Sequence, residues 1–292
     1  MNMVLQQIIN GISIGAVYAL ISVGYSLVYS ILKFSNFAHG GVMMLGSYFG
    51  LLGLQYLGLP FPLAMALAIV GSGLLAVLNE RVAYRPIRNR NSPLLYLLIS
   101  SLGVSIFFEN FTIVTIGPNF RTYPPVLPTD SLMFGGLSVG RLDIIIFVMA
   151  AVTLSLLTWL VYGTKIGNAI RATSYNMRVS RLMGINPDMI VALVFFLAGA
   201  SAGLGGVLFG IKYTVWPQMG ILTLKAFIAA VVGGLGSLPG AVVGALLLGT
   251  AETFAAAFVS SAFRDLFSFA LMILIILVRP AGLFGKITEE KA

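Results

Sequence analysis

The sequence predicts an all-α, polytopic membrane protein, a bundle of eight or nine transmembrane helices forming one domain over residues 1–292. Three observations carry this expectation. Hydrophobic residues fill 59% of 292 positions, charged residues 9%, and the mean hydropathy is +1.01, whereas a soluble domain carries roughly a quarter charged residues. The apolar residues fall in runs near the roughly 20 needed to cross a hydrocarbon layer of about 30 Å. Lys and Arg gather in the connections between alternate runs, the asymmetry that orients membrane proteins.

Runs near 4–32, 37–58, 61–80, 93–116, 142–162, 189–211, 223–236 with 239–259, and 263–279 are the candidate spans. The opening "MNMVLQQIINGISIGAVYAL" lacks the positive region of a secretory signal and reads as a retained first span, long enough to tilt. Lys33 ends it. In "KFSNFAHGG" (33–41), Ser35 or Asn36 is expected to cap a second helix starting at Phe37. His39, the one histidine of the chain, falls in that helix's first turn, where the dipole disfavours imidazolium. It is either a neutral, hydrogen-bonded residue packing the helix start or part of a gate.

"PNFRTYPPVLPTDSLMFGGLSVGR" (118–141) is rich in Pro and Gly and reads as an ordered surface loop. Within 163–188, good helix formers around 168–183 predict a short cytoplasmic helix ending near Gly184, with Arg171 and Arg178, seven apart, on one face. Asn186, Pro187 and Asp188 then suit the N-cap, first position and first turn of the next span. "GGLGSLPG" (233–240) either separates two full spans or makes a buried turn in a broken helix.

The basic residues set the orientation. Lys33, the four arginines at 81–90, Lys165, Arg171, Arg178, Arg181, Arg279, Lys286 and Lys291 place twelve of the seventeen Lys and Arg residues on one side. That side is expected to be cytoplasmic. The C-terminus is then inside and, with nine crossings, the N-terminus outside. Eight crossings would put the N-terminus inside or force one segment to re-enter.

The chain offers little for chemistry. Without cysteine and with one histidine there is no disulfide framework and no zinc centre of the usual kinds, and no metal or cofactor is expected. No Gly-x-Ser-x-Gly elbow or His-Glu-x-x-His motif occurs. "RPAGLFGKIT" places Pro280 and Ile287 where a phosphate-binding loop needs glycine and a hydroxyl, so an ATP site of that type is excluded. The net charge of +8 lies in membrane connections, so nucleic acid is not an expected partner. Glycines spaced by four, such as Gly11/Gly15, Gly46/Gly50, Gly199/Gly203, Gly206/Gly210, Gly236/Gly240 and Gly240/Gly244, predict close helix packing. Glu109 and Glu252 lie inside predicted spans, where an unpaired charge is expensive; Asp143 and Asp265, beside Arg141 and Arg264, are expected at the interfaces.

"SNFAHG" (35–40), "ERVAYRPIR" (80–88), "GNAIRATSYNMRVSRLMGINPD" (167–188), "KAFIAAVVGGLGSLPGAVVGALLLGTAE" (225–252) and "RPAGLFG" (279–285) follow one another nearly end to end. With them the chain resembles the LivH-type permease subunit of the branched-chain amino acid ABC importers of bacteria and archaea. The resemblance implies a passive subunit of the cytoplasmic membrane, without its own ATPase site, forming part of a translocation pore. Implied partners are a second, LivM-like permease, two cytoplasmic ATPase subunits and an extracytoplasmic binding protein. It further implies that Arg171, Arg178, Gly184, Ile185 and Asn186 contact an ATPase, and makes Asn36, His39 and Glu252 candidates for the substrate pathway. Related permeases for urea and short amides share these motifs. An ion-coupled secondary transporter using Glu109 or Glu252 is the alternative from a different class.

Overall fold

The structure, a computed structural model, describes residues 2–90, 92–128, 130–134 and 136–285. It is a helical bundle. In chain order come α1 (Asn2–Leu32), α2 (His39–Gln55) and α3 (Phe61–Asn79); α3 runs through a π-helical turn (Glu80–Tyr84) into α4 (Arg85–Asn89). Then follow α5 (Leu94–Thr115), α6 (Arg141–Gly163), α7 (Lys165–Tyr175), α8 (Met177–Leu182) and α9 (Pro187–Lys212). A 3-10 turn (Pro217–Ile221) leads into α10 (Leu222–Gly233), followed by α11 (Leu238–Phe258) and α12 (Arg264–Val278). Between α5 and α6 the predicted surface loop contains an antiparallel hairpin of β1 (Ser131–Phe134) and β2 (Leu137–Gly140).

Among the described residues, seven helices are long and apolar enough to cross a membrane: α1, α3 with α4, α5, α6, α9, α11, and α12 with its preceding turn. Two further apolar helices, α2 and Pro217–Gly233, fall short. Both follow a non-helical break inside the bundle. After α1, Lys33 takes a positive φ of 55° and its amide bonds back to Tyr29. The chain then turns inward through buried Phe34, Asn36 and Ala38. His39 reaches the carbonyl of Ile21, eleven residues and hence about 16 Å before the end of α1 at 1.5 Å per residue. The helix therefore starts at His39, not Phe37, and Ala38 occupies its N-cap without a side-chain bond. The expected cap by Ser35 or Asn36 does not form, because the interior supplies other partners for this stretch.

The second break follows α9. Arg121 and Val215 exchange backbone bonds of 2.8 Å, pinning the exit. The chain then turns inward until Gly220 packs on the backbone of Gly40. "GGLGSLPG" forms the turn between α10 and α11, which pack on each other; α10, with 12 residues or about 18 Å, is shorter than a full span, and the interruption lies before it. Ser237 caps α11 by accepting from the Gly240 amide at 3.2 Å. Leu283 and Phe284, of "RPAGLFG", donate to the carbonyls of Val232 and Gly233 at 3.0 and 2.9 Å, closing the end of α10.

The two breaks belong to a repeated arrangement. A long helix, a break, a short helix and two further helices occur as α1, α2, α3, α5 and again as α9, α10, α11, α12. Packing repeats with it: α1 lies on α11 as α9 lies on α3, and α2 lies on α3 as α10 lies on α11. The core sits between α1 and α9, and α1 is the most enclosed span, 89% of its apolar window being buried against 6% for α12.

Most of the glycine spacing does what it predicts. Gly11 and Gly15 face α11, Gly199 and Gly203 face α3, Gly206 and Gly210 face α2, and Gly240 and Gly244 face α10. Gly236 differs: at a φ of +85° it shapes the turn before α11 instead of a helix face. Added side chains at the tight crossings have nowhere to go. A Cβ on Gly249 would lie 2.6 Å from the Gly11 carbonyl oxygen, and one on Gly199 would lie 2.5 Å from that of Ser72. Gly249→Leu and Gly199→Leu are therefore expected to destabilise the bundle by about 1–3 kcal/mol or more. Gly103→Leu, where a Cβ meets nothing within 4 Å, should keep the parent's thermal midpoint in detergent; equal midpoints for all three would refute the packing role.

Candidate functional site

The inward break after α1 gathers the first pathway candidates. Asn36, buried, accepts a hydrogen bond from the Tyr84 hydroxyl at 2.8 Å, and Asn79 donates to the same hydroxyl at 3.2 Å. Tyr84 reaches this position because the π-helical turn adds a residue between α3 and α4; its ring packs on Phe34 and Phe195. Ser101 of α5 receives the Phe37 amide at 3.2 Å. His39 is buried with Nε2 3.0 Å from the Ile21 carbonyl oxygen, a contact in which that nitrogen must carry the proton. Asn36 and His39, with the Phe37 amide, thus fasten one segment to the end of α3, to α1 and to α5.

Glu252 lies elsewhere, on α11. Its carboxylate is buried and fully engaged: Lys225 of α10 is 2.6 Å away, Ser268 of α12 donates at 2.6 Å and Tyr18 of α1 at 3.0 Å. Lys225 also reaches Asp265 at 2.5 Å. Asp265 therefore pairs with Lys225 and not with its neighbour Arg264. Asp143 likewise turns from Arg141 to Lys212, at 2.7 Å, and takes a 2.6 Å bond from Ser13. The sequence expectation placed both acids at span ends without assigning them partners; their lysines come from other helices.

The 163–188 segment forms two helices, not one. Thr164 caps α7 by accepting from Gly167, and Asn176 interrupts the run by capping α8 through the amides of Arg178 and Val179 at 2.9 and 3.1 Å. Arg171 and Arg178 consequently share no helical face. Arg171 folds back on its own surroundings, 2.5 Å from Asn168 Oδ1 and 5.6 Å from the centre of the Tyr162 ring, and also bonds to the Val161 carbonyl. Arg178 is exposed.

Gly184 ends α8 as expected. Its φ is +80°, its amide bonds to Arg181 and that of Ile185 to Ser180, both at 3.1 Å, the paired closure that favours glycine. Asn186 caps α9 as the sequence predicts, accepting from Asp188 and Met189. Beside this turn lies an open cavity of about 600 Å³ lined by Arg88, Met177, Arg178, Arg181 and Asp188 among others. On the same segment, Tyr175, Leu182 and Met183 stand 76% or more exposed.

Sequence reasoning missed the network beneath this surface. Arg88 bridges Glu80 at 2.9 Å and Asp188 at 2.6 Å, and Arg85 joins Asp188 at 3.0 Å. Glu80 has a fully buried side chain. The available signal was Glu80, an acid at the end of an apolar run with arginines one and two helical turns beyond it. What the sequence could not show was that Asp188, a hundred residues on, completes it. The network ties α3–α4 to the first turn of α9, directly after Gly184, Ile185 and Asn186.

The fold resembles that of a solved structure, PsaBC from Streptococcus pneumoniae in complex with Fab, at a TM-score of 0.51 and 16% identity, over 96% of this chain and 93% of that one. The high-affinity branched-chain amino acid transport system permease protein BraD of Pseudomonas aeruginosa is 39% identical, with 98% of this chain and 97% of BraD aligned. The similarly named LivH of Escherichia coli strain K12 is 38% identical over the same shares. A family profile described as branched-chain amino acid transport system, permease component, matches residues 7–276, and the chain belongs to that family.

Proposed function

We propose that this chain is the permease subunit of an ATP-driven importer of branched-chain amino acids, forming half of a translocation pore as one domain. The observation that carries this reading is the nearly full-length identity of 38–39% to permeases named for that transport. The geometry is consistent with a passive subunit. Its most enclosed elements are the interrupted helices, a construction that suits rocking around a central path.

In this reading the chain crosses the membrane nine times, α2 and α10 each completing a crossing together with the break before it. The arginine-rich end, with Arg85, Arg88, Arg178 and Arg181, faces the cytoplasm, as does the end of α12; Lys286 and Lys291 lie outside the described residues. The membrane is the cytoplasmic membrane of a bacterium or archaeon. A second, LivM-like permease completes the pore, two ATPase subunits dock below it, and an external binding protein delivers substrate. The exposed apolar side chains and arginines around Gly184, Ile185 and Asn186 supply a surface for an ATPase, while Arg171 lies at its margin. Movement there reaches the bundle through Arg88 and Asp188 at the start of α9. Asn36, His39 and Glu252 act by holding the interrupted helices in place along the path.

Reconstituted with its partner subunits and binding protein, the chain should accumulate labelled leucine in vesicles only when ATP is supplied, and urea and short amides should not compete. Uptake by the chain alone under an ion gradient would instead establish a secondary transporter. Coupling has its own test. Arg88→Ala leaves the buried Glu80 carboxylate without its partner, a loss of about 3–5 kcal/mol in stability, which Glu80→Gln in the same chain should largely restore. The restored double variant still lacks the Arg88 link to Asp188, which keeps only its bond to the more exposed Arg85. Its ATP hydrolysis should persist while uptake falls about tenfold, the scale of a coupling energy of about 1–3 kcal/mol. Gly184→Val, forced into a left-handed conformation at about 1–2 kcal/mol, should uncouple likewise, and normal uptake in both variants would dismiss the surface as a coupling device.

A further inference from the structure

Between α2, α5 and the turn that enters α10 lies a cavity of about 350 Å³, inside the about 300–1,000 Å³ range of small-ligand sites. It opens where the two broken helices meet, since Gly40 and Gly220 pack backbone to backbone at its edge. Phe37, Met44, Leu102, Ile221 and Leu224 give it apolar walls. Glu109 is the single ionisable side chain among the lining residues, accompanied by the neutral polar Ser105, Gln218 and Thr223.

Two of these groups lack partners. Glu109 is half-buried within a span, six residues before its end, and no Lys, Arg or His among the described residues lies within ion-pairing distance of it. Every other glutamate among the described residues, Glu80 and Glu252, is paired. Thr223 is 2% exposed, and its hydroxyl has no hydrogen-bond partner among the described residues. An unpaired intramembrane carboxylate facing lipid is strongly disfavoured, and such groups face a bundle interior or a watered path. Leu102, Ser105 and Glu109 recur at three and four residues, so one face of α5 carries them all.

We propose that this cavity is a transit site for an aliphatic α-amino acid. The Glu109 carboxylate receives the ammonium group, and Thr223, Ser105 and Gln218 offer neutral donors to the substrate carboxylate. The apolar walls take the branched side chain. A single negative charge complements the zwitterion's cation while the neutral donors leave its anion unopposed. The walls offer nothing to a second polar end, so aliphatic side chains are favoured over hydrophilic ones. The site rests on the importer reading and adds to it a place where substrate is held inside this subunit. Its position on the break between α1 and α2, through Phe37, puts it beside the segment that Asn36 and His39 fasten.

The chain contains no cysteine, so Ser105→Cys gives a single reactive thiol whose modification is read as a mass shift of this chain alone. The assembled importer in proteoliposomes is treated with cationic and anionic water-soluble methanethiosulfonate reagents of equal size. The cationic reagent should react about tenfold faster, reflecting a carboxylate within a few ångströms, and adding Glu109→Gln should bring the two rates together. Leucine-loaded binding protein with ATP should slow both reactions, whereas the unloaded protein with ATP should not. In the otherwise unsubstituted importer, Glu109→Gln should lower the maximal leucine uptake while the concentration of loaded binding protein giving half-maximal uptake stays constant. An unreactive thiol, equal rates for both reagents, or no protection by leucine, each in a complex that takes up leucine, overturns the site. Failure of the parent complex to take up leucine overturns the importer reading instead. Loss of co-purification with the second permease on Glu109→Gln would reassign Glu109 to an ion pair between subunits, and that too overturns the site.

Discussion

Hydrocarbon offers no partner to a backbone amide or carbonyl, so a chain that leaves the helical state inside a membrane must find every partner within the protein. This fold does so twice, at 33–38 and 213–221. The first break is held by Ser101 at the Phe37 amide, by Tyr84 at the Asn36 side chain and by His39 on Ile21. The second is held by the exchange between Arg121 and Val215 and by Gly220 lying on Gly40. Much of the remaining structure follows from keeping these stretches enclosed. The long helices α1 and α9 occupy the centre, and α3 and α11 close against them through glycine faces that let backbones approach where side chains would hold them apart.

Charge is distributed by the same rule. The buried acids at the two ends of the bundle are neutralised within it, Glu80 by Arg88 at one and Glu252 by Lys225 at the other. Each pair joins elements distant in sequence: Arg88 extends to Asp188 on α9, and Glu252 collects Tyr18, Ser268 and Lys225 from three helices. Breaking such a pair strands a charge in a medium of low polarity, so each one also fixes how its helices sit. Glu109 is the exception, and its solitude in an apolar cavity at the meeting point of the broken helices gives it a different meaning.

The legibility of this protein in its sequence divided along physical lines. Asn186, Pro187, Asp188 and Gly184 were readable because helix ends are decided by a few adjacent residues, whose orphan amides and left-handed turn need particular side chains. The glycine faces were readable because spacing by four places residues on one side of any helix. Asn36 was misread as a cap, since the same amide oxygen serves a helix start or a distant hydroxyl equally well and only the position of Tyr84 decides. Arg171 and Arg178 were misread as one face because Asn176 could continue a helix or cap a new one. The partners of Asp143 and Asp265, Lys212 and Lys225 on other helices, were not readable because they depend on which helices lie side by side.

The sequence by itself determined that this is a helical membrane bundle, where most spans begin and end, that it carries no phosphate-binding loop, and which family it resembles. Each of these depends on composition or on neighbours a few residues apart. Tertiary structure alone decided that two helices are interrupted and meet at Gly40 and Gly220, that Glu80, Arg88 and Asp188 form one network, and that Glu109 stands without a cation among the described residues. Those facts depend on which helices lie side by side. In a bundle where nearly every surface is equally apolar, hydrophobic pattern does not specify neighbours; close packing of small residues and the pairing of a few buried polar groups do.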